Sequence, residues 1–138
     1  MGKVERFEDL EVWKLARKLV NKIYRLTGKG EFDKDFGLKD QIRRSSVSVM
    51  NNTSEGFESR TVRQFIDYLG YSKASCGETR SILYVALDCR YITGKEFQEC
   101  YDLAKSISGK IYRFIKYLEQ YNSNDRVKET DVTYGLPE

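Results

Sequence analysis

The sequence predicts an all-α fold, an antiparallel up-down-up-down four-helix bundle. Two observations carry that expectation. Pro137 is the only proline, so no earlier residue breaks a helix by removing a backbone donor. Four long stretches repeat apolar residues in steps of three and four, and short turns bearing Gly, Ser or Thr separate them. Residues 1–121 suit one domain, large enough for a hydrophobic core without disulfides or a structural metal. Residues 122–138 have little to bury and read as a flexible tail.

The first helix is expected from about Asp9 to Thr27. Leu10, Trp13, Ala16, Val20, Ile23 and Thr27 share one face, which Leu15, Leu19 and Leu26 widen. Gly28-Lys29-Gly30 then turns into a loop through Asp33. The second helix is expected from near Asp35 to near Phe57, with Leu38, Ile42, Ser45, Val49, Asn52 or Thr53, and Gly56 as its stripe. Val47, Met50 and Ser54 form a second side. This helix holds the most unusual stretch of the chain. After Arg43 and Arg44, ten residues from Ser45 to Ser54 carry no charge, although 33% of the sequence is charged. Ser, Asn, Thr and Val dominate there, as suits a helix packed closely on more than one side.

The third helix is expected from Arg60 or Thr61 to near Tyr91, with Ser59 as N-cap. Val62, Phe65, Leu69, Ser72, Cys76, Thr79, Leu83 and Ala86 form its stripe. Gly70 and Gly77 lie in its middle, where each costs roughly 1 kcal/mol against Ala in an exposed helix. Close approach of a neighbouring backbone would explain keeping them. The fourth helix opens on Thr93-Gly94-Lys95-Glu96, a capping box in which the Thr93 hydroxyl and Glu96 carboxylate each take a free backbone donor. Phe97, Cys100, Ala104, Ile107, Ile111, Phe114, Leu118 and Tyr121 follow in alternating steps of three and four, the seam of a helical bundle.

Composition narrows the chemistry. There is no histidine, the usual general base near neutral pH and the commonest metal ligand. Cys76, Cys89 and Cys100 form no CxxC pair, and their odd count argues against a secreted disulfide framework. They read as small core residues in a reducing cytoplasm. No stretch approaches the ~20 apolar residues of a membrane span. No cofactor or metal is expected. The net charge of +3 is uneven: residues 122–138 carry −2, which leaves +5 on the body. That bias permits a phosphate-bearing partner without requiring one.

A series of motifs then appears in order. It runs Phe7-x-x-Leu10-x-Val12-Trp13-x-x-Ala16, Phe36-Gly37-Leu38-x-x-Gln41-Ile42-Arg43-Arg44, Ser48-x-x-x-Asn52-x-x-Glu55-Gly56 and Ser75-x-x-Glu78. From Phe7 to Glu119 the chain resembles the four helix bundle protein family encoded in intervening sequences of bacterial 23S ribosomal RNA genes. That family is similar to Avd, the accessory protein of diversity-generating retroelements. The resemblance implies a small bacterial cytoplasmic protein that assembles as a ring-like homopentamer. It also implies a possible partner, since the Avd branch binds a reverse transcriptase and nucleic acid through a basic surface. Two places depart from the family pattern. Asn52-Thr53-Ser54-Glu55-Gly56 stands where Asn-Ile-Ala-Glu-Gly is usual, and Ser72-Lys73-Ala74 stands where Ala-x-Gly is favoured.

The candidate residues fall into two groups. Arg44, Asn52, Glu55 and Glu78 read as a structural polar network. In an antiparallel pair turning near Ser59, Arg44 and Glu78 reach similar heights, and a bidentate pair would set register between helices or subunits. A catalytic reading would make Glu55 and Glu78 an acid/base pair, but no nucleophile motif, phosphate loop or metal cluster accompanies them. Ser45, Ser46 and Ser48 read as permitting close helix approach. The second group is cationic: Arg43, Arg60, Arg63, Lys73, Arg80, Lys110, Arg113 and Lys116, with Tyr112 and Tyr117 interleaved. Lys110, Arg113 and Lys116 are expected on one flank of the fourth helix. In a ring, several copies of such a patch would form one extended basic surface. The sequence thus predicts a non-enzymatic homo-oligomeric adaptor that contacts RNA, DNA or a nucleic-acid-bound protein. The alternative is a purely structural or protein–protein module.

Overall fold

A computed structural model describes residues 4–121. The tail expected over residues 122–138 lies outside the described residues. A 3-10 turn at Phe7–Asp9 precedes α1 (Glu11–Thr27), α2 (Gly30–Lys34), α3 (Phe36–Phe57), α4 (Val62–Asp88) and α5 (Gly94–Leu118). The four long helices are those the periodicity predicts. They close into an antiparallel bundle in the order α1, α3, α4, α5, with α5 returning against α1. The α3–α4 interface is the most extensive, followed by α4–α5.

Caps set the boundaries. Asp35 accepts a hydrogen bond from the Leu38 N–H at 3.1 Å and starts α3. Thr61, not Ser59, caps α4, in a capping box with Gln64. Ser59 instead donates back to the Gly56 carbonyl at the end of α3. Thr93 and Glu96 form the expected capping box of α5. Helix α4 stops at Asp88 rather than near Tyr91, because Arg90 takes the left-handed region at φ 61°. The Tyr91 N–H then reaches the Ala86 carbonyl and the Arg90 N–H the Leu87 carbonyl, both at 2.9 Å, which closes the helix in a Schellman turn.

The stripe predicted for α4 is buried along its whole length, from Val62 to Ala86. The α5 seam is buried from Phe97 to Leu118. Phe65 joins the two, edge-on to Phe114 at 5.3 Å and to Phe57 at 6.1 Å. On α1 the buried line is rotated from the one expected. Val12, Ala16, Leu19, Ile23 and Leu26 face the core, while Trp13 and Val20 are half-buried at its edge. Trp13 packs edge-on against Phe7, their ring centroids 5.2 Å apart. The expected loop after Gly30 is the short helix α2, which inserts Phe32 into the core against Tyr91. The Tyr91 hydroxyl donates to Asp35 at 2.9 Å and ties the α4–α5 turn to the start of α3.

Close backbone approach occurs at Gly56, not at the glycines of α4. A Cβ there would stand 2.8 Å from both the Phe65 ring and the Tyr68 Cβ. A Cβ at Gly70 would meet nothing within 4 Å, and one at Gly77 only the end of Arg80.

Candidate functional site

The charge-free stretch of α3 is a hydroxyl ladder against α4. Ser45 meets Thr79 at 2.8 Å, the Ser75 hydroxyl donates to Ser48 at 2.9 Å, and Thr53 meets Ser72 at 3.0 Å. Asn52 extends the ladder by donating to the Ser48 hydroxyl at 2.8 Å. Burying hydroxyls is costly unless each finds a partner, and here each rung supplies one. Small side chains let the two helices approach until these contacts form.

The predicted polar network therefore exists in different residues. Of its four members only Asn52 joins the ladder. Within the chain Arg44 pairs with Asp40 one turn earlier, at 2.8 Å, instead of with Glu78. That pair is open to solvent, and Glu55 and Glu78 are exposed on separate helices. A helix whose inner face is filled by hydroxyls turns its long charged side chains outward.

The cations do not form one surface either. Arg43 is half-buried and braces α3 against α1. Its Nε donates to the Thr27 hydroxyl at 2.8 Å, and its guanidinium lies 4.2 Å from the Tyr24 ring centroid. Lys110 leans toward α1 and pairs with Glu11 at 3.0 Å, so it leaves the flank expected for it. Arg63 pairs with Asp67 at 3.9 Å, Lys116 pairs with Glu119 at 3.4 Å, and Arg60 is exposed.

Lys73, Arg80 and Arg113 behave differently. They converge on an open groove between α4 and α5, about 460 Å³ in volume, with Lys105, Ser108, Gly109 and Tyr112 as its remaining lining. No carboxylate lines it, and none of its four cations pairs with a carboxylate among the described residues. The Arg80 guanidinium lies 5.8 Å from the Tyr101 ring centroid, and its buried Nε has no hydrogen-bond partner among the described residues. Two other clefts are electrically mixed. Lys22, Arg25 and Lys29 share one with Glu96 and Glu99, and Arg63 shares another with Asp67 and Glu119.

Sequence reasoning missed Lys105. The signal was available in the steps of four, three and four from Lys105 through Gly109 and Tyr112 to Lys116, which place these residues along one face of α5. The three cysteines are also placed. Cys76 and Cys100 are buried, and burial pushes their thiols up to about 12 and about 11, while Cys89 is exposed. No group of three or more Cys, Asp or Glu able to hold a metal ion occurs among the described residues. No helix among them is long and apolar enough to cross a membrane.

The motif order and the bundle geometry meet in a family comparison. The family model described as 23S rRNA-intervening sequence protein matches residues 8–113. The chain belongs to this family. All four groove cations fall within the match to the 23S rRNA-intervening sequence family, and so does the whole hydroxyl ladder. A solved structure from Bacteroides thetaiotaomicron, a protein with unknown function from the S23 ribosomal protein family, is similar to this chain. Its TM-score is 0.70 at 22% identity, covering 76% of this chain and 98% of that chain. At that identity the likeness bears on the fold. No curated protein matches the chain.

Proposed function

We propose that this member of the intervening-sequence family is a non-enzymatic, homo-oligomeric adaptor that binds the phosphate backbone of nucleic acid through the α4–α5 groove. The observation that carries the reading is the convergence of Lys73, Arg80, Lys105 and Arg113 on one groove without a lining carboxylate. Cations left unneutralised by their own chain attract polyanions and release counterions on binding. The similarity to Avd expected of the family, whose Avd branch uses a basic surface, supports the same reading.

Self-association, as the pentameric ring the resemblance implies, is supported by the outer face of α4. Tyr71 and Val85 are exposed there, Ala74 lies between them, and the Cβ position of Gly70 is open. Such a face also suits a different protein partner, which is the alternative reading. Glu55 and Glu78 stand exposed on separate helices instead of converging on one site, which supports a non-enzymatic role.

Light scattering tests the assembly: an oligomer is expected at micromolar concentration, and a stable monomer would sink the ring. Titration with structured RNA and duplex or single-stranded DNA across salt concentrations tests the partner. Affinity should fall steeply with salt, and replacing Lys73 and Arg113 by Ala should lower the slope by about 2. Absence of binding to any of them at low salt would favour the protein-only module.

A further inference from the structure

We infer that the α4–α5 groove is built for single-stranded nucleic acid, with unpaired bases stacking on tyrosines at its two ends. This rests on the phosphate-binding reading above and narrows it. Tyr84 and Tyr112 are the exposed aromatics beside the four cations, at 49% and 51% exposure. Tyr112 lines the groove itself, with the Lys116 Nζ 5.5 Å from its ring centroid. Tyr84 stands just past that lining, one turn beyond Arg80 on α4, its ring 4.9 Å from Phe97 and 5.8 Å from Tyr101, the same ring that Arg80 approaches. Arg80 thus bridges the cationic centre to the aromatic end.

The spacing fits a strand. Tyr101, which the Tyr84 ring contacts, lies eleven residues before Tyr112 on α5, roughly 16 Å along the helix axis. At ~3.4 Å per nucleotide that length spans about five stacked nucleotides, within the range of single-strand sites. A duplex buries its base faces in its own stack and offers the tyrosines nothing. A single strand offers phosphates to Lys73, Lys105 and Arg113 and base faces to the rings, and stacking of this kind tolerates any sequence.

The test uses the full chain. Fluorescence anisotropy would compare labelled oligothymidylate and oligouridylate of about fifteen nucleotides with a duplex of equal length, at matched low salt. Either single strand should bind more tightly than the duplex, and the two arms separate a DNA from an RNA preference. Tyr112→Ala should weaken single-strand binding by about five- to a hundredfold and leave duplex binding and the salt slope unchanged. Tyr112→Phe should restore binding, whereas Tyr112→Leu, which keeps apolar area without a π-face, should not. Equal affinity for duplex and single strand, or a neutral Tyr112→Ala, overturns the single-strand inference while backbone binding stands. Failure of every nucleic acid to bind overturns both.

Discussion

Thr53 on α3 and Ser72 on α4 meet hydroxyl to hydroxyl at 3.0 Å, both fully buried. Each also lies 2.9 Å from the Val49 carbonyl, so two protons serve three contacts. These are two of the positions at which the resemblance drawn from the sequence leads one to expect other residues, Ile at 53 and Ala at 72. The two side chains touch, and both hydroxyls converge on one backbone acceptor, the Val49 carbonyl.

That relationship predicts coupling. Thr53→Ile adds volume in a closed seam and should cost about 1–3 kcal/mol. Ser72→Ala should cost about 1 kcal/mol for a lost buried hydrogen bond. Together they should cost less than their sum by about 0.5–1.5 kcal/mol, because Ala at 72 makes room for Ile at 53. Urea unfolding of the four proteins of the cycle measures this, and simple additivity would show that the two sites are independent.

The glycines should separate sharply. Gly56→Ala places a Cβ 2.8 Å from Phe65 and Tyr68, where the α3–α4 approach leaves no slack, and should destabilise by about 1–3 kcal/mol. Gly70→Ala faces open space in mid-helix and should stabilise the single chain by up to about 1 kcal/mol. Thermal unfolding at low protein concentration compares them. A destabilising Gly70→Ala there would mean that the open position is filled by something other than solvent.

Thiol reactivity should divide two to one. The Cys76 and Cys100 thiols, pushed up to about 12 and about 11 by burial, should resist a disulfide reagent near pH 8 until the chain unfolds. Cys89, exposed at the end of α4, should react at once. Cys89→Ser should remove the fast phase. Any fast-reacting thiol left in that variant would contradict the burial of Cys76 and Cys100.

Acid should loosen the start of α5. The hydrogen bond from the Thr93 backbone N–H holds the Glu96 carboxyl below its ordinary value of 4.5, against partial burial, with help from Lys29 at 3.3 Å. A carboxyl depressed in the folded state contributes stability that is present above its unfolded value and lost as pH falls through its folded value. Stability should therefore decline below about pH 4.5, and Glu96→Gln should flatten that part of the profile. Thr93→Ala should cost about 1 kcal/mol at neutral pH, where the cap is intact. A profile unchanged by Glu96→Gln would assign the acid loss elsewhere.

The elements most legible beforehand were those whose local pattern had no competitor. The α4 stripe and the α5 seam each alternate three and four over many residues, so only one face could turn inward. Thr93 and Glu96 sit in a spacing that satisfies two backbone donors at once. The α1 face was harder, because Leu15, Leu19, Val20 and Leu26 allow more than one apolar line. Trp13 looked like core by its type and became an edge residue through Phe7. Arg43 looked free because its partners, Tyr24 and Thr27, belong to another helix.

The sequence by itself determined four helices, the capping box of α5 and the inward faces of α4 and α5, because helix periodicity and capping depend on residues within a few positions of one another. Only the tertiary structure decided which charges were neutralised. Arg44 found Asp40, Lys110 found Glu11, and Lys73, Arg80, Lys105 and Arg113 were left together in one groove. That outcome depends on the lateral packing and rotation of whole helices, which bring side chains from distant parts of the chain to the same height. A charge has a meaning for function only after its neighbours across the bundle are known.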